Sequence, residues 1–306
     1  MRNEWHTVGN IYERVYQELE QAAPNRFDGL VNIGTDEISY KKGHKYMTVV
    51  MNHDTAAVVW CGIGYGKAVL SGFFRLLTRE QRASIRCVSA NGARWIASCI
   101  DEYYPNAERC IDPFHVVTWA TETLDQERRR AWSEAYQTAK ETKKQGKGRP
   151  AKGEYVSPEK EQGKAVKNLR YVLLKNPENG FENQQAQLEL LTQANPQSYR
   201  AYLLKEDLRL ALKAGGDGIE YTLNKWMAWA QRCRIPDFQE LRLKMKRNFT
   251  AIVASAKHSL SNAHMEATNN KIKLGIRTAF GFRNPDSIIA MVLLTCSAVQ
   301  PRLHGR

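Results

Sequence analysis

The sequence predicts an α/β fold: a mixed five-stranded sheet flanked by helices, with an all-α insertion late in the chain. Three observations predict it. Three β-branched runs, "LVNIGTDEISY", "KYMTVVMN" and "AAVVWCGI", are separated only by "KKGH" and "HDT", short turns suited to antiparallel hairpins. Two more strand-like runs, "SIRCVSA" and "AERCI", alternate with helical stretches, and such crossovers make strands parallel and put helices on both sheet faces. From residue 166 to 255 the chain reads as helices only.

Taken in order, Val8, Ile11, Val15 and Leu19 recur at helical spacing, so an amphipathic helix opens the chain until "AAPNRFDG" breaks it. After the three strands, Val69, Leu70, Phe73, Phe74 and Leu77 share one face of a helix that starts near Lys67. The strand "SIRCVSA" leads into a helix from Gly92 to about Tyr103, and "AERCI" into the long helix "DPFHVVTWATETLDQERRRAWSEAYQTAK". The next stretch, "KETKKQGKGRPAKGEYVSPEKEQGK", has Gly, Pro and Lys but almost nothing to bury, and is expected to be a flexible basic loop. Helices follow in "QAQLELLTQ", "SYRAYLLKEDLRLALKA" and "IEYTLNKWMAWAQRC". The last segment holds two helices joined by "FGFRNPD", with Pro285 suited to the first turn of the second. The expected divisions are 1–29 (helix and linker), 30–140 (first part of the core), 141–165 (basic loop), 166–255 (helical insertion) and 256–306 (helices completing the core).

Hydrophobic residues are 42% and charged residues 25% of the 306, the balance of a soluble globular protein. No apolar run approaches the roughly 20 residues that span a bilayer. The opening "MRNEWHTVGN" has no apolar signal core, so a cytoplasmic location is expected. Six scattered cysteines without a C-x-x-C pair argue against a zinc ribbon or a disulfide framework, and those in apolar strands suit reduced core thiols. A net charge of +13 favours a polyanionic partner, most often nucleic acid.

Several polar residues stand where chemistry is possible. Asp36 ends the first strand, and a carboxylate there needs solvent, a partner or a metal; capping the turn explains it equally well. Asn262, Glu266, Asn269 and Lys273 form one polar face of a helix between apolar elements, a pattern that more often is merely solvated. Asp112 and His115, in "CIDPFHVV", sit where a strand meets its helix; Asp112 can simply cap that helix ahead of Pro113, and His115 can be a packed, hydrogen-bonded imidazole. Trp226 and Trp229 read first as core and second as base-stacking residues.

Together, "VNIGTDEISYKKGHKYMTVV", "VSANGARWI", "NAERCIDPFHVVTWATETLDQERRRAW" and "SNAHMEATNNKIKLGIRTAFGFRN" resemble, in order and spacing, the DDE transposases of the ISL-three group of bacterial insertion sequences. The likeness runs from about Trp5 to Leu294. It implies a ribonuclease H-like core with a helical insertion before the last catalytic residue. It also implies metal-dependent phosphoryl transfer on double-stranded DNA, with three carboxylates holding two Mg²⁺ or Mn²⁺ ions. Transferred position by position, the first carboxylate is Asp36 and the third Glu266. The second falls on Asn91, where the family pattern has Asp; Asn52 is another departure of the same kind.

A neutral amide at Asn91 compensates two dications poorly. Metal misplacement by about 1 Å costs on the order of 10²-fold, so little or no strand transfer is expected. Asp112, with His115, is implied as a helper of the site. Arg128, Arg129, Arg130, Lys143, Lys144, Lys147, Arg149, Lys152 and Lys273 are the expected phosphate-holding cations. A homodimer or larger assembly on DNA is expected, since two DNA ends must meet, and no membrane partner. Relatives carry an N-terminal zinc-binding and helix-turn-helix region, whereas this chain is expected to start in the linker helix. Two alternatives remain open: a non-catalytic DNA-binding relative, and a structure-selective nuclease on the same fold. The Asn91-Gly92 pair is also prone to deamidation, which would restore an aspartate in a small fraction of molecules.

Overall fold

The computed structural model describes residues 5–22, 25–142, 170–175, 177–179, 188–189, 192, 195–216, 218–258, 263–282 and 284–299. The chain forms two compact units, one of Met1–Asp112 with Thr250–Arg306 and one of Pro113–Phe249. The long helix after Asp112 groups with the helical unit. Residues 143–169, which hold most of the expected basic loop, and most of the helix expected in "QAQLELLTQ" lie outside the described residues.

The first unit opens with α1 (Trp5–Ala22) and the strands β1 (Asn32–Lys41), β2 (Lys45–Asn52) and β3 (Ala57–Ile63). Next come α2 (Lys67–Leu76), α3 (Arg79–Ser84), β4 (Cys87–Ala90), α4 (Arg94–Tyr103) and β5 (Glu108–Ile111). The sheet order is β3-β2-β1-β4-β5. The first three strands pair antiparallel, and β4 and β5 join parallel to β1 in turn. This is the mixed five-stranded sheet that the sequence predicts, and it agrees with a ribonuclease H-like core.

Strand alternation separates the two faces of β1. Ile33, with Val88 and Ala90 of β4, packs under Leu70, Phe73 and Phe74 of α2 and Ile96 and Ile100 of α4. Ile38, with Met47, Val49 and Val58, packs under the two C-terminal helices, described next. Helix α3 was not foreseen, although Thr78 and Gln81 form a complete capping box at its start.

The second unit contains α5 (Pro113–Thr142), α6 (Arg170–Leu174), α7 (Pro196–Ala214), α8 (Ile219–Arg232) and α9 (Pro236–Arg247). Trp226 is fully buried, as expected, and its indole N–H donates to the Leu204 carbonyl at 2.8 Å. Lys205 is also buried: its ammonium donates to the carbonyls of Leu173 and Lys175, both at 3.2 Å, and pairs with Glu206. Burial holds the Lys205 pKa below the ordinary lysine range, against the pull of Glu206.

Returning to the first unit, α10 (Phe249–Lys257) starts at its edge, and α11 (Ala263–Thr278) and α12 (Pro285–Cys296) complete the core. Ile272 of α11 and Ile288, Met291 and Val292 of α12 cover the Ile38 face. Helix α11 ends in a Schellman turn, with Gly281 N–H on the Ile276 carbonyl at 2.9 Å and Phe280 N–H on the Arg277 carbonyl at 3.0 Å. The left-handed residue of that turn is Phe280, at φ 52°, where glycine is the usual occupant. All six cysteines are buried and unbridged, in line with reduced core thiols; burial pushes the Cys61 thiol up to about 12. No helix among the described residues is long and apolar enough to cross a membrane.

Candidate active site

Strands β4 and β5 end beside the middle of β1, which runs on to Lys41, so Asp36 lies within its strand and not at the strand end expected from the sequence. The last β1–β4 pair is Gly34 with Ser89, which sets Asp36 level with Asn91 two residues further on. The last β4–β5 pair is Ala90 with Ile111, which sets Asn91 level with Asp112. Asp36 within β1, and Asn91 and Asp112 just past the ends of β4 and β5, thus stand level with one another, on the side where ligands bind open α/β sheets. Glu266 sits exposed in the first turn of α11, which packs on β1.

Asp36 and Asn91 are already engaged. Asp36 Oδ1 accepts the Glu37 N–H at 2.9 Å, and Asp36 Oδ2 accepts the Asn269 side-chain amide at 2.6 Å. Asn91 Oδ1 accepts the Ala93 N–H at 2.9 Å, at the start of α4. That bond uses the oxygen; the side chain also lies close enough to Glu37 to favour its charged form. Burial raises the Glu37 carboxyl above its ordinary range and the charge of Asp36 adds to this, while the Asn91 hydrogen bond and one from the Gly66 backbone oppose it. Glu37 Oε1 and Asn269 Oδ1 are buried with no hydrogen-bond partner among the described residues.

A second polar cluster lies on the α11 side of the sheet. His53 Nε2 is 2.6 Å from Ser89 Oγ. Burial pulls the His53 pKa below its ordinary value; Asp54 and Asp112 oppose this, and His264 reinforces it. Gly34 makes room for the ring, since a Cβ there would stand 2.6 Å from His53 Nε2 and 3.0 Å from Met265 Cε. Asn52, at the end of β2, uses its side-chain oxygen to accept the Asp54 N–H at 2.8 Å.

These residues do not fit a two-metal centre. Among the described residues no three His, Cys, Asp or Glu side chains converge on one point. The position level with Asp36 carries a neutral amide whose oxygen is already committed. A hard dication needs several convergent oxygen ligands, and the second full negative charge is missing here.

The expected DNA-contacting cations separate into classes. Arg128 is buried, with Nε 2.8 Å and a terminal nitrogen 2.7 Å from Asp125 Oδ1. Arg129 is exposed and reaches Asp125 Oδ2 at 2.5 Å, while Arg130 pairs with Glu127. Lys273 is exposed on α11. Lys143, Lys144, Lys147, Arg149, Lys152 and also Asn262 lie outside the described residues. Asp112 is buried just past the end of β5, and His115 is part of the second unit, in the first turn of α5.

Sequence reasoning missed Glu37 and His53. Glu37 follows Asp36 directly in "TDE", but strand alternation sends it to the opposite face, where only the turn after β4 brings Asn91 to it. His53 lies in "MNHDT", which reads as no more than a turn. The one advance signal for its place is Gly34, a residue with no Cβ inside an otherwise β-branched run.

A sequence-family model described as "Transposase", for DDE transposases of the ISL-three group, matches residues 33–292. The transposase for insertion sequence element IS1557 of Mycobacterium tuberculosis is 47% identical over 306 residues, spanning all of this chain and 69% of that protein. The transposase for insertion sequence element IS1001 of Bordetella parapertussis is 26% identical over 284 residues, 92% of this chain and 64% of that protein.

Proposed function

Starting from the membership of this chain in the ISL-three family of insertion-sequence DDE transposases, we propose that it is a DNA-binding transposase core impaired in strand cleavage and transfer. The single observation behind this reading is the state of Asn91: it is a neutral amide, and its oxygen is committed to the Ala93 N–H. In this reading Asp36 and Glu266 are two of the three family carboxylates, and Asn91 stands in the place of the other. The family works with divalent metal ions, and this chain falls one carboxylate short of holding them as a pair.

DNA is held by phosphate contacts from exposed cations such as Arg129 and Lys273, within a chain of net charge +13. Binding of this kind needs no metal and weakens steeply with salt. The assembly on DNA is a homodimer or larger, because two element ends must be brought together.

The test is cleavage and joining of pre-nicked DNA in Mg²⁺ or Mn²⁺, for the chain as it stands and for Asn91→Asp. Joined products from Asn91→Asp alone are expected. Activity in the unaltered chain at the level of Asn91→Asp would overturn the reading. Cleavage without joining would favour the nuclease alternative, and a mute Asn91→Asp that still binds DNA would favour the non-catalytic one.

A further inference from the structure

Four arginines of the second unit gather round one turn. Arg234, between α8 and α9, takes the left-handed conformation there at φ 62°, where glycine is the usual occupant. Its neighbours Cys233 and Ile235 are buried, and the Ile235 N–H donates to Cys233 Sγ at 3.4 Å. The turn is thus fixed from below, while Arg234 itself is exposed. The other three arginines converge on the same stretch of chain. Arg200 of α7 donates through one terminal nitrogen to the Cys233 carbonyl at 3.2 Å. Arg242 of α9 donates to Gln231 Oε1 at 3.3 Å, and Gln239 to the Gln231 carbonyl at 3.1 Å. Arg232, the last residue of α8, donates through Nε to the Ala228 carbonyl at 3.1 Å.

Folding accounts for part of this only. A cation at Arg232 suits the carbonyl end of α8, but an exposed arginine is no better than glycine at a left-handed position. None of the four pairs with a carboxylate among the described residues, and the acids beside the turn are taken. Glu127 pairs with Arg130 and accepts from Gln197, and Asp237 lies 3.9 Å from Arg130. The bonds that orient Arg200, Arg232 and Arg242 all end on neutral oxygens, so the positive charge stays uncompensated and most of the N–H groups stay uncommitted. Guanidiniums oriented in this way grip phosphate oxygens as forks, with little further ordering to be done. We propose that this turn is a phosphate-holding surface for the backbone of double-stranded DNA, carried by the helical unit. This rests on the DNA-binding reading above and adds to it a surface apart from Arg129 and Lys273. Contacts of this kind fix the position of the duplex and carry no sequence preference.

The experiment measures binding of one DNA duplex by the full chain over a range of salt concentrations. The variants are Arg234→Gly, Arg234→Lys, the double change Arg232→Gln with Arg234→Gly, and Arg79→Gln, which removes an exposed cation of the first unit. Glycine suits φ 62°, so Arg234→Gly folds at least as well as the original. The slope of log K against log salt counts phosphate contacts, and a small change in stability does not move it. It should become shallower by about 0.9 in Arg234→Gly and by about 1.8 in the double variant, and keep its original value in Arg234→Lys and Arg79→Gln. An unchanged slope in Arg234→Gly and in the double variant would overturn the surface and leave the DNA reading standing. So would an equal change in Arg79→Gln. An unaltered chain that does not bind the duplex would overturn both.

Discussion

Asn269 donates its side-chain amide to Asp36 at 2.6 Å and so ties α11 to the central strand across 233 residues of sequence. Asn269 is buried, and its own oxygen has no hydrogen-bond partner among the described residues. The pair fixes the height of α11 over the strand ends, and with it the place of Glu266 one turn earlier.

Replacing Asn269 by Leu removes the donor and leaves Asp36 half-satisfied. Losing a hydrogen bond to a charged group costs about 1.5–3 kcal/mol. The expected result is a lowered denaturation midpoint with an unchanged denaturant slope. Asn269→Asp should be worse at neutral pH, since it sets two carboxylates against each other, and it should recover in acid.

Asn91→Asp exchanges a neutral amide that favours the charged form of Glu37 for a like charge. A loss of about 1.5–3 kcal/mol at neutral pH is expected, read from chemical denaturation. Added Mg²⁺ should raise the melting temperature of the variant clearly and that of the unaltered chain little, because only the variant gains a third carboxylate. Equal Mg²⁺ shifts in the two proteins would count against Asn91 as the missing ligand.

Glu37 makes stability depend on pH with a definite sign. Its folded pKa is raised, so the folded protein keeps the proton to higher pH than the unfolded chain. No penalty exists below the ordinary value of 4.5; it develops as pH rises from there and is complete above the folded pKa. Glu37→Gln should therefore lose less stability than the unaltered chain between about pH 4.5 and neutrality. Asn91→Asp should lose more.

Gly34→Ala places a methyl against His53 and Met265. Overpacking of this kind costs about 1–3 kcal/mol. Adding His53→Ala should return much of the loss, since it empties the space on one side. A double variant no better than Gly34→Ala alone would locate the clash at Met265.

Lys205→Met removes a buried ammonium that satisfies two carbonyls and pairs with Glu206. Breaking a buried pair from one side costs about 3–5 kcal/mol. The added change Glu206→Leu should recover part of it, to be measured as a double-mutant cycle on thermal or urea unfolding.

The sheet and its helices were legible because their signals are local: β-branched runs between short turns, and apolar faces at helical spacing. The polar face of α11 was legible too, but not its division of labour. Asn269 is buried on Asp36, while Glu266 and Lys273 stay exposed. The approach of Asn91 to Glu37 was not legible, because it depends on how the chain turns after β4. Likewise Arg128 to Arg130 read as one basic patch, yet i to i+3 acids on the same helix bury the first and pair the third. Periodicity shows which face a residue takes; it does not show which partner waits there.

The span from Asp36 to Asn269 also bears on synthesis. Ribosomes add about 5–20 residues per second, so roughly 10–50 s separate the emergence of the central strand from that of the helix that caps it. Through that interval the nascent sheet lacks the cover on its Ile38 face, and the second unit is made in full before the first can close. A chain released early, short of α11, would present a bare apolar sheet face and aggregate rather than persist as a partial competitor for DNA.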